Sequence, residues 1–535
     1  MIAVSNNWKA QQNKTLLPEM FVEITYTITE PGLQDDATVT SNSNAYFSDT
    51  GGITKPGGDN SEKYGILEYG MWGLDGSFTY FDGTPVDPGY VSAVMSDKNG
   101  NFETYPTINI DFSYRHTVVI PGMTIVWSET FDEWATDFRI ITSNSNGVVN
   151  ELTVTGNASP ETNVWMDMVD YTRITIEIIK WSHPYRRARC GYISMGLRKV
   201  YTKSDLLGYE HKQSADLLSA ALPTSSIVFR LRNDLNQWNP DNPTGLEQYL
   251  LEQQKIDVRY GMDLNGNTEW IPGGTYWMSE WSTSTNGLEA VFTAKDAIEF
   301  MSEIYTGQVS GTLYDIAVAA FTAANLEALD DGSKRYYVDE ILKDYTTTFS
   351  DTTSTYTIAE ILQMVAHAGC CVLYQDRYGV VRLERWSDTY SEYMIEPTIS
   401  YNHPEYTIIK PLKSVSVGYG NNERLIVNVG SKGEVQTIDN PLISTIEDAE
   451  RVGKKAREIL ENRKTITGEF RADLRLDVLD RIIVASKYAS SIIGITDITY
   501  STTGGTFKGI YTGRVVSINL EPISWYSGDL YVGEV

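Results

Sequence analysis

Apolar residues in this chain recur mostly at every second position, the period of a strand with one buried face. The pattern opens at MFVEITYTITE, where Val22, Ile24 and Tyr26 alternate with polar residues. Residues 31–65 break it with Gly, Ser, Asn, Asp and Thr, a loop composition. From Ile66 to about Val200, short alternating runs lie between turn dipeptides such as Asp82-Gly83, Asn99-Gly100, Asn146-Gly147 and Gly156-Asn157. The clearest are 109–114, 122–128, 137–143, 151–156 and 174–181. Spacing of about ten residues with turns between predicts a separate all-β sandwich without long helices.

From about Tyr201 the texture becomes mixed. Between Leu222 and Asp296 a strand carrying Phe229 and Leu231 leads into an Asn/Asp/Pro loop and a short leucine segment. A strand around Val258 and Tyr260 follows, then a Gly266-Asn267 hairpin, an aromatic strand (Tyr276, Trp277, Met278) and a closing strand. Tyr276, Trp277 and Trp281 are expected inside a barrel. Apolar residues at helical spacing predict helices over 295–304, 313–326, 357–369 and 445–463, and a strand from Cys370 to Tyr374 turns at Asp376–Gly379 into 380–386. Residues 480–486 and 509–523 read as closing barrel strands. The chain is therefore expected to be mainly β with α+β parts: barrel-like domains, a helical α+β domain and an inserted β-sandwich.

Composition narrows the function classes. The chain has 535 residues and a formal net charge of −27, which argues against a nucleic-acid surface, because phosphate affinity needs clustered Lys and Arg. An acidic surface would suit a channel through which DNA slides without sticking. Cys190, Cys370 and Cys371 are too few for a disulfide framework, so buried thiols and assembly in a reducing cytoplasm are expected. The opening residues lack a charged start followed by an apolar core, so no secretory signal is expected, and no apolar run is long enough to span a membrane.

Two stretches resemble known families. LEYGMWGLDGSF (67–78), the SDKNGNF turn (96–102), GMTIVWSETFDEWATDFRI (122–140), VTGN (154–157) and RITIEIIKWSHPYRRARCGYISMG (173–196) resemble a jelly-roll, discoidin-like sandwich, related to carbohydrate-binding modules and found inside phage tail proteins. Residues 1–30 and 200–525 resemble the phage baseplate hub, the core that begins tail-associated lysin proteins. The residues that carry this are the 222–296 order, IDNPLISTIEDAERVGKKAREIL (438–460), DRIIVAS (480–486) and ITYSTTGGTFKGIYTGRVV (498–516). The resemblance implies a first hub strand in 1–30, the sandwich in 31–200, a hub barrel in 201–305, an α+β domain in 306–435 and a second barrel in 436–535. It implies a homotrimer whose paired barrels form a pseudo-sixfold ring at the tail tip of a virion. Its partners would be the distal tail or tail tube protein, the tape measure protein and needle or fibre proteins. The chain stops soon after its last barrel strand, so any cell-wall cutting is expected from another polypeptide. A surface-polysaccharide adhesin and a tail glycoside hydrolase are the alternatives.

Little in the sequence points to catalysis. The five histidines lack metal-ligand spacing, and acidic pairs such as Asp132-Glu133 read as solvated turns rather than a glycosidase pair. Asp97–Asn101 opens like an acidic loop but lacks a downstream Glu and reads as a turn. No catalytic residue, metal or cofactor is assigned. Sugars stack on aromatic faces while their hydroxyls take polar partners, so Trp165, Tyr185 and Arg186, placed in loops, are the expected glycan-facing patch; Trp72, Trp127 and Trp134 are expected in the core. Arg230 and Arg232 could pair with acids of a neighbouring subunit or of their own chain.

Overall fold

Strand Met20–Ile28 turns Met20, Val22, Ile24, Tyr26 and Ile28 into a buried face, as period-two alternation requires. The computed structural model describes residues 1–14, 19–54, 68, 89–128, 130–242, 245–264, 266–284, 287–326, 329, 333–349, 354–387, 393–420, 423–485, 490–503 and 506–519. Trp72, the 67–78 segment apart from Glu68, and Gly504-Gly505 lie outside them. No helix among the described residues is long and apolar enough to cross a membrane.

The strands expected to build the hub lie in one 13-stranded sheet. Leu197–Tyr201, Met20–Ile28, Lys255–Asp263, Thr268–Thr283, Glu289–Lys295 and Thr224–Arg232 make its first half. Leu206–Ser214 then pairs with Ser490–Thr502, and Lys508–Asn519, Lys464–Arg471 and Glu405–Ile408 complete the path. The two expected barrel-like sets are thus joined edge to edge, and among the described residues neither closes on itself. Joining them removes two exposed edges, which would otherwise present unpaired backbone groups.

The sandwich leaves the hub after Ile28 and returns on Leu197–Tyr201, which pairs antiparallel with the strand of departure (Ile28↔Leu197, Ile24↔Tyr201). At the return, Gly196 has φ +115°, and a Cβ there would sit 2.4 Å from the Ile28 carbonyl oxygen, so only glycine fits. A five-stranded sheet (Thr38–Ser41, Thr107–His116, Tyr171–Trp181, Ala135–Asn144, Gly147–Val154) faces a three-stranded one (Tyr192–Met195, Ile120–Val126, Glu161–Met168). Phe138, Ile140, Ile174, Ile176 and Ile178 from the first sheet share a core with Met123, Ile125 and Val164 from the second. Trp127 and Trp181 meet edge to face within it, 6.0 Å between ring centroids.

Helices Leu313–Ala324 and Ile358–Gly369 and strand Val372–Gln375 match the periodicity. Segment 295–304 does not; it makes only the 3₁₀ turn Ala297–Phe300. Helix Ile446–Glu461 begins with a capping box between Thr445 and Asp448. It packs on Leu412–Tyr419 and Glu423–Asn428, and its last turn meets the closing strand, where Arg514 donates to the Ile459 carbonyl at 3.3 Å. Gly453 lets it approach, since a Cβ there would lie 2.6 Å from Val427 Cγ2. Tyr276 points into the hub core, whereas Trp277 faces the helical core. Adjacent residues of a strand point to opposite faces, so the two rings could not both fill the barrel; Trp281 is partly buried at its margin.

The turn between Val372–Gln375 and Val381–Glu384 drives Arg377 into the hub core. Its guanidinium is fully buried, donates to the Leu474 and Leu476 carbonyls, and lies over the rings of Tyr260 and Tyr500 at 5.7 and 5.5 Å. Asp477 pairs with it at 3.5 Å. Beside it, His211 bonds to the Tyr260 hydroxyl at 2.8 Å and the Tyr276 hydroxyl at 2.5 Å. Burial, with the Arg377 charge, holds this imidazole well below its ordinary pKa, so it stays neutral.

Asp296, at the junction of sheet and helical domain, caps the 3₁₀ turn by accepting from Glu299 N. Its other oxygen, Oδ2, is buried without a partner. Burial pushes this carboxyl up to about 7. A folded-state value above the unfolded one means its contribution is complete below the ordinary carboxylate range and is lost as pH rises through about 7. Urea unfolding at pH 5 and pH 8 should therefore show stability falling by roughly 2–4 kcal/mol, and Asp296→Asn should remove most of that fall. Equal slopes in the two proteins would refute the assignment.

Candidate functional site

The sandwich places the three predicted glycan-facing residues on different elements. Trp165 stands in strand Glu161–Met168, not in a loop, on the outward side opposite Val164 and Met166, and is 53% exposed. Its ring takes the Lys199 ammonium at 5.1 Å, a cation–π contact. Two residues on, Asp167 accepts from the Tyr249 hydroxyl of the hub at 2.7 Å. The outward side of this strand therefore carries the contact between sandwich and hub.

Tyr185 lies in the turn after Tyr171–Trp181, 45% exposed, with a left-handed φ of 55°. A non-glycine residue there costs about 1 kcal/mol. The Tyr185 amide donates to the Asp97 carbonyl at 3.4 Å, and Asp97 Oδ1 in turn accepts from the Asn99 and Asn101 amides. The Asp97–Asn101 segment is a turn tied to Tyr185, and no group of three or more metal-ligating side chains occurs among the described residues.

Arg186 departs most from expectation: its side chain is 8% exposed and faces Glu133 at 3.4 Å. Glu133 is itself buried, accepts from Trp181 Nε1 at 2.9 Å and stands 3.7 Å from Arg189. Glu68 completes the set with a two-pronged pairing to the fully buried Arg189. Asp132-Glu133 is thus not a solvated pair; its glutamate is the counter-charge for two buried guanidiniums. The clue in the sequence was Arg186, Arg187 and Arg189 close together beside Trp181 in an otherwise acidic chain. A buried charge must be matched, and an isolated Asp-Glu turn does not reveal that it does so. Trp127 is in the core as expected, whereas Trp134 packs at the core's margin and donates to the Asn157 carbonyl at 2.9 Å.

His367 is largely buried, and desolvation lowers its pKa. Arg230 and Arg232 are exposed and make no ion pair with the described residues.

The sequence matches no family model and no curated protein. Solved structures align with parts of the chain. A tail protein from Neisseria meningitidis aligns over 60% of this chain and 93% of its own, with 10% identity and a TM-score of 0.43. The 43 kDa tail protein of a Shewanella oneidensis prophage aligns over 59% and 95%, with 14% identity and a TM-score of 0.39. A family 32 carbohydrate-binding module from C. perfringens, solved with galactose, aligns over 33% of this chain and 99% of its own, with 13% identity and a TM-score of 0.20.

Removing the shared counter-charge tests the sandwich cluster. Glu133→Ala is expected to destabilise the sandwich by roughly 3 kcal/mol, since it strands buried guanidinium charge, and to lower its calorimetric transition. A transition shifted by less than a degree would mean that water already neutralises these arginines.

Proposed function

We propose that this chain is a structural protein of a phage-type tail, a homotrimeric hub that closes the distal end of the tail tube. The observation that carries this reading is the single sheet uniting two sets of hub strands through Leu206–Ser214 and Ser490–Thr502. Two linked strand sets per chain are what a three-subunit ring with six similar positions needs. The hub-like sequence segments at 222–296, 438–460 and 498–516 support the same assignment. In this reading the tube and tape measure proteins meet one side of the ring and needle or fibre proteins the other. The work is mechanical, and no catalytic residue is assigned.

The sandwich would face the host and touch surface glycans. Tyr185 is the exposed aromatic best placed for it, Trp165, 53% exposed, would offer a second ring, and Arg186 would act by supporting the turn from beneath. A glycan array probed with the full chain and with Tyr185→Ala tests that contact. Loss of signal on the variant supports it, and identical arrays refute it.

Light scattering of the purified chain should give a mass near three times the 60.0 kDa subunit. A strict monomer, alone and in the presence of tube protein, would overturn the hub assignment. The unpaired Arg230 and Arg232 are candidates for intersubunit pairing, so reversing both (R230E/R232E) should weaken the trimer about tenfold or more while leaving the subunit folded.

A further inference from the structure

A cleft of about 490 Å³ lies where the sandwich, the first hub strands and the Arg377 turn meet. Its floor is the outer face of the sheet. Opposite residues of an antiparallel pair share a side, so Thr27↔Arg198, Thr25↔Asp257 and Glu23↔Arg259 form one polar surface. Ile24, Tyr26 and Ile28 turn the other way, into the core. The sandwich supplies Ser194 as a wall, and the turn supplies Tyr378, 58% exposed.

Most of the floor charge is already matched: Arg259 pairs with Glu23 at 2.6 Å and Lys255 with Asp257 at 3.3 Å. Arg198 is different. Its guanidinium is half-buried and makes no ion pair, side-chain hydrogen bond or ring contact with the described residues. The hydroxyls of Thr25, Thr27 and Ser194 likewise have no partner among the described residues. Met20–Ile28 lies between two paired strands, so its backbone groups are spent in the ladders and offer no edge to an added peptide strand. What remains free is one forked cation and a row of hydroxyls. A ligand satisfying both carries an anion and several hydroxyls of its own, and the cleft volume suits a small molecule.

We propose that this cleft binds an anionic saccharide, with its carboxylate or phosphate on Arg198 and its hydroxyls on Thr25, Thr27 and Ser194. The site is distinct from the Tyr185 turn and does not depend on the oligomeric state of the hub. Glucuronate, glucose 6-phosphate and glucose share a ring and differ at one position, so they separate the sources of charge. Calorimetric titration of the full chain should show one or both anions binding at least about tenfold more tightly than glucose. The better of the two anions identifies carboxylate or phosphate recognition. Arg198→Ala and Arg198→Gln should each weaken anion binding about tenfold or more, with circular dichroism unchanged for at least the glutamine variant. No binding by either anion, equal binding of all three sugars, or full anion affinity in a folded Arg198→Gln protein would overturn the proposal. Mass measured on the same samples keeps a failed trimer separate from a failed saccharide site.

Discussion

Pairing between Leu206–Ser214 and Ser490–Thr502 joins strands from distant parts of the chain, and the large sheet is one body through that ladder. Each half would otherwise end in a row of unsatisfied amides and carbonyls. The ladder also sets the surroundings of His211, whose partner across the pair is Tyr500. Arg377 then enters from the helical domain and meets Tyr260 of the first half and Tyr500 of the second. One buried cation thereby ties together three parts of the fold. A guanidinium out of water is tolerable only with its donors and charge matched, and the Leu474 and Leu476 carbonyls with Asp477 provide the match.

The sandwich hangs on the hub by a different logic. Its two connections are neighbouring antiparallel strands, so it can be inserted without disturbing the order of the sheet. Gly196 permits the close return, and the Asp167–Tyr249 and Lys199–Trp165 contacts brace the outward side. The polar cleft around Arg198 lies on the other face of that strand, where sandwich and sheet meet. Function at such a place depends on the junction and not on either domain alone.

Charge has two uses in this molecule. The formal net charge of −27 comes from acidic side chains in excess, and an acidic surface repels a phosphate backbone. Buried arginines do the opposite work: Arg189 and Arg377 are fully enclosed, each held by carboxylate and carbonyl oxygens and by aromatic faces. Arginine suits this because its planar, weakly hydrated head can satisfy several acceptors and stack on a ring at once.

Alternation of apolar residues by itself determined the β-rich class, the sandwich strands and the opening hub strand, because a period of two commits each side chain to a face. Apolar spacing likewise determined the helices at 313, 358 and 446. Only the tertiary structure decided that the two hub strand sets are one open sheet, since edge pairing between remote strands leaves no local trace. It also decided that Trp277 serves the helical core, that segment 295–304 stops at a single turn, and that Glu133 and Arg186 are buried. Arg198 shows the same limit: its neighbours in sequence are unremarkable, and its free charge comes from a gap between domains. Periodicity reports which face a residue takes, while burial of a charge depends on what folds over it.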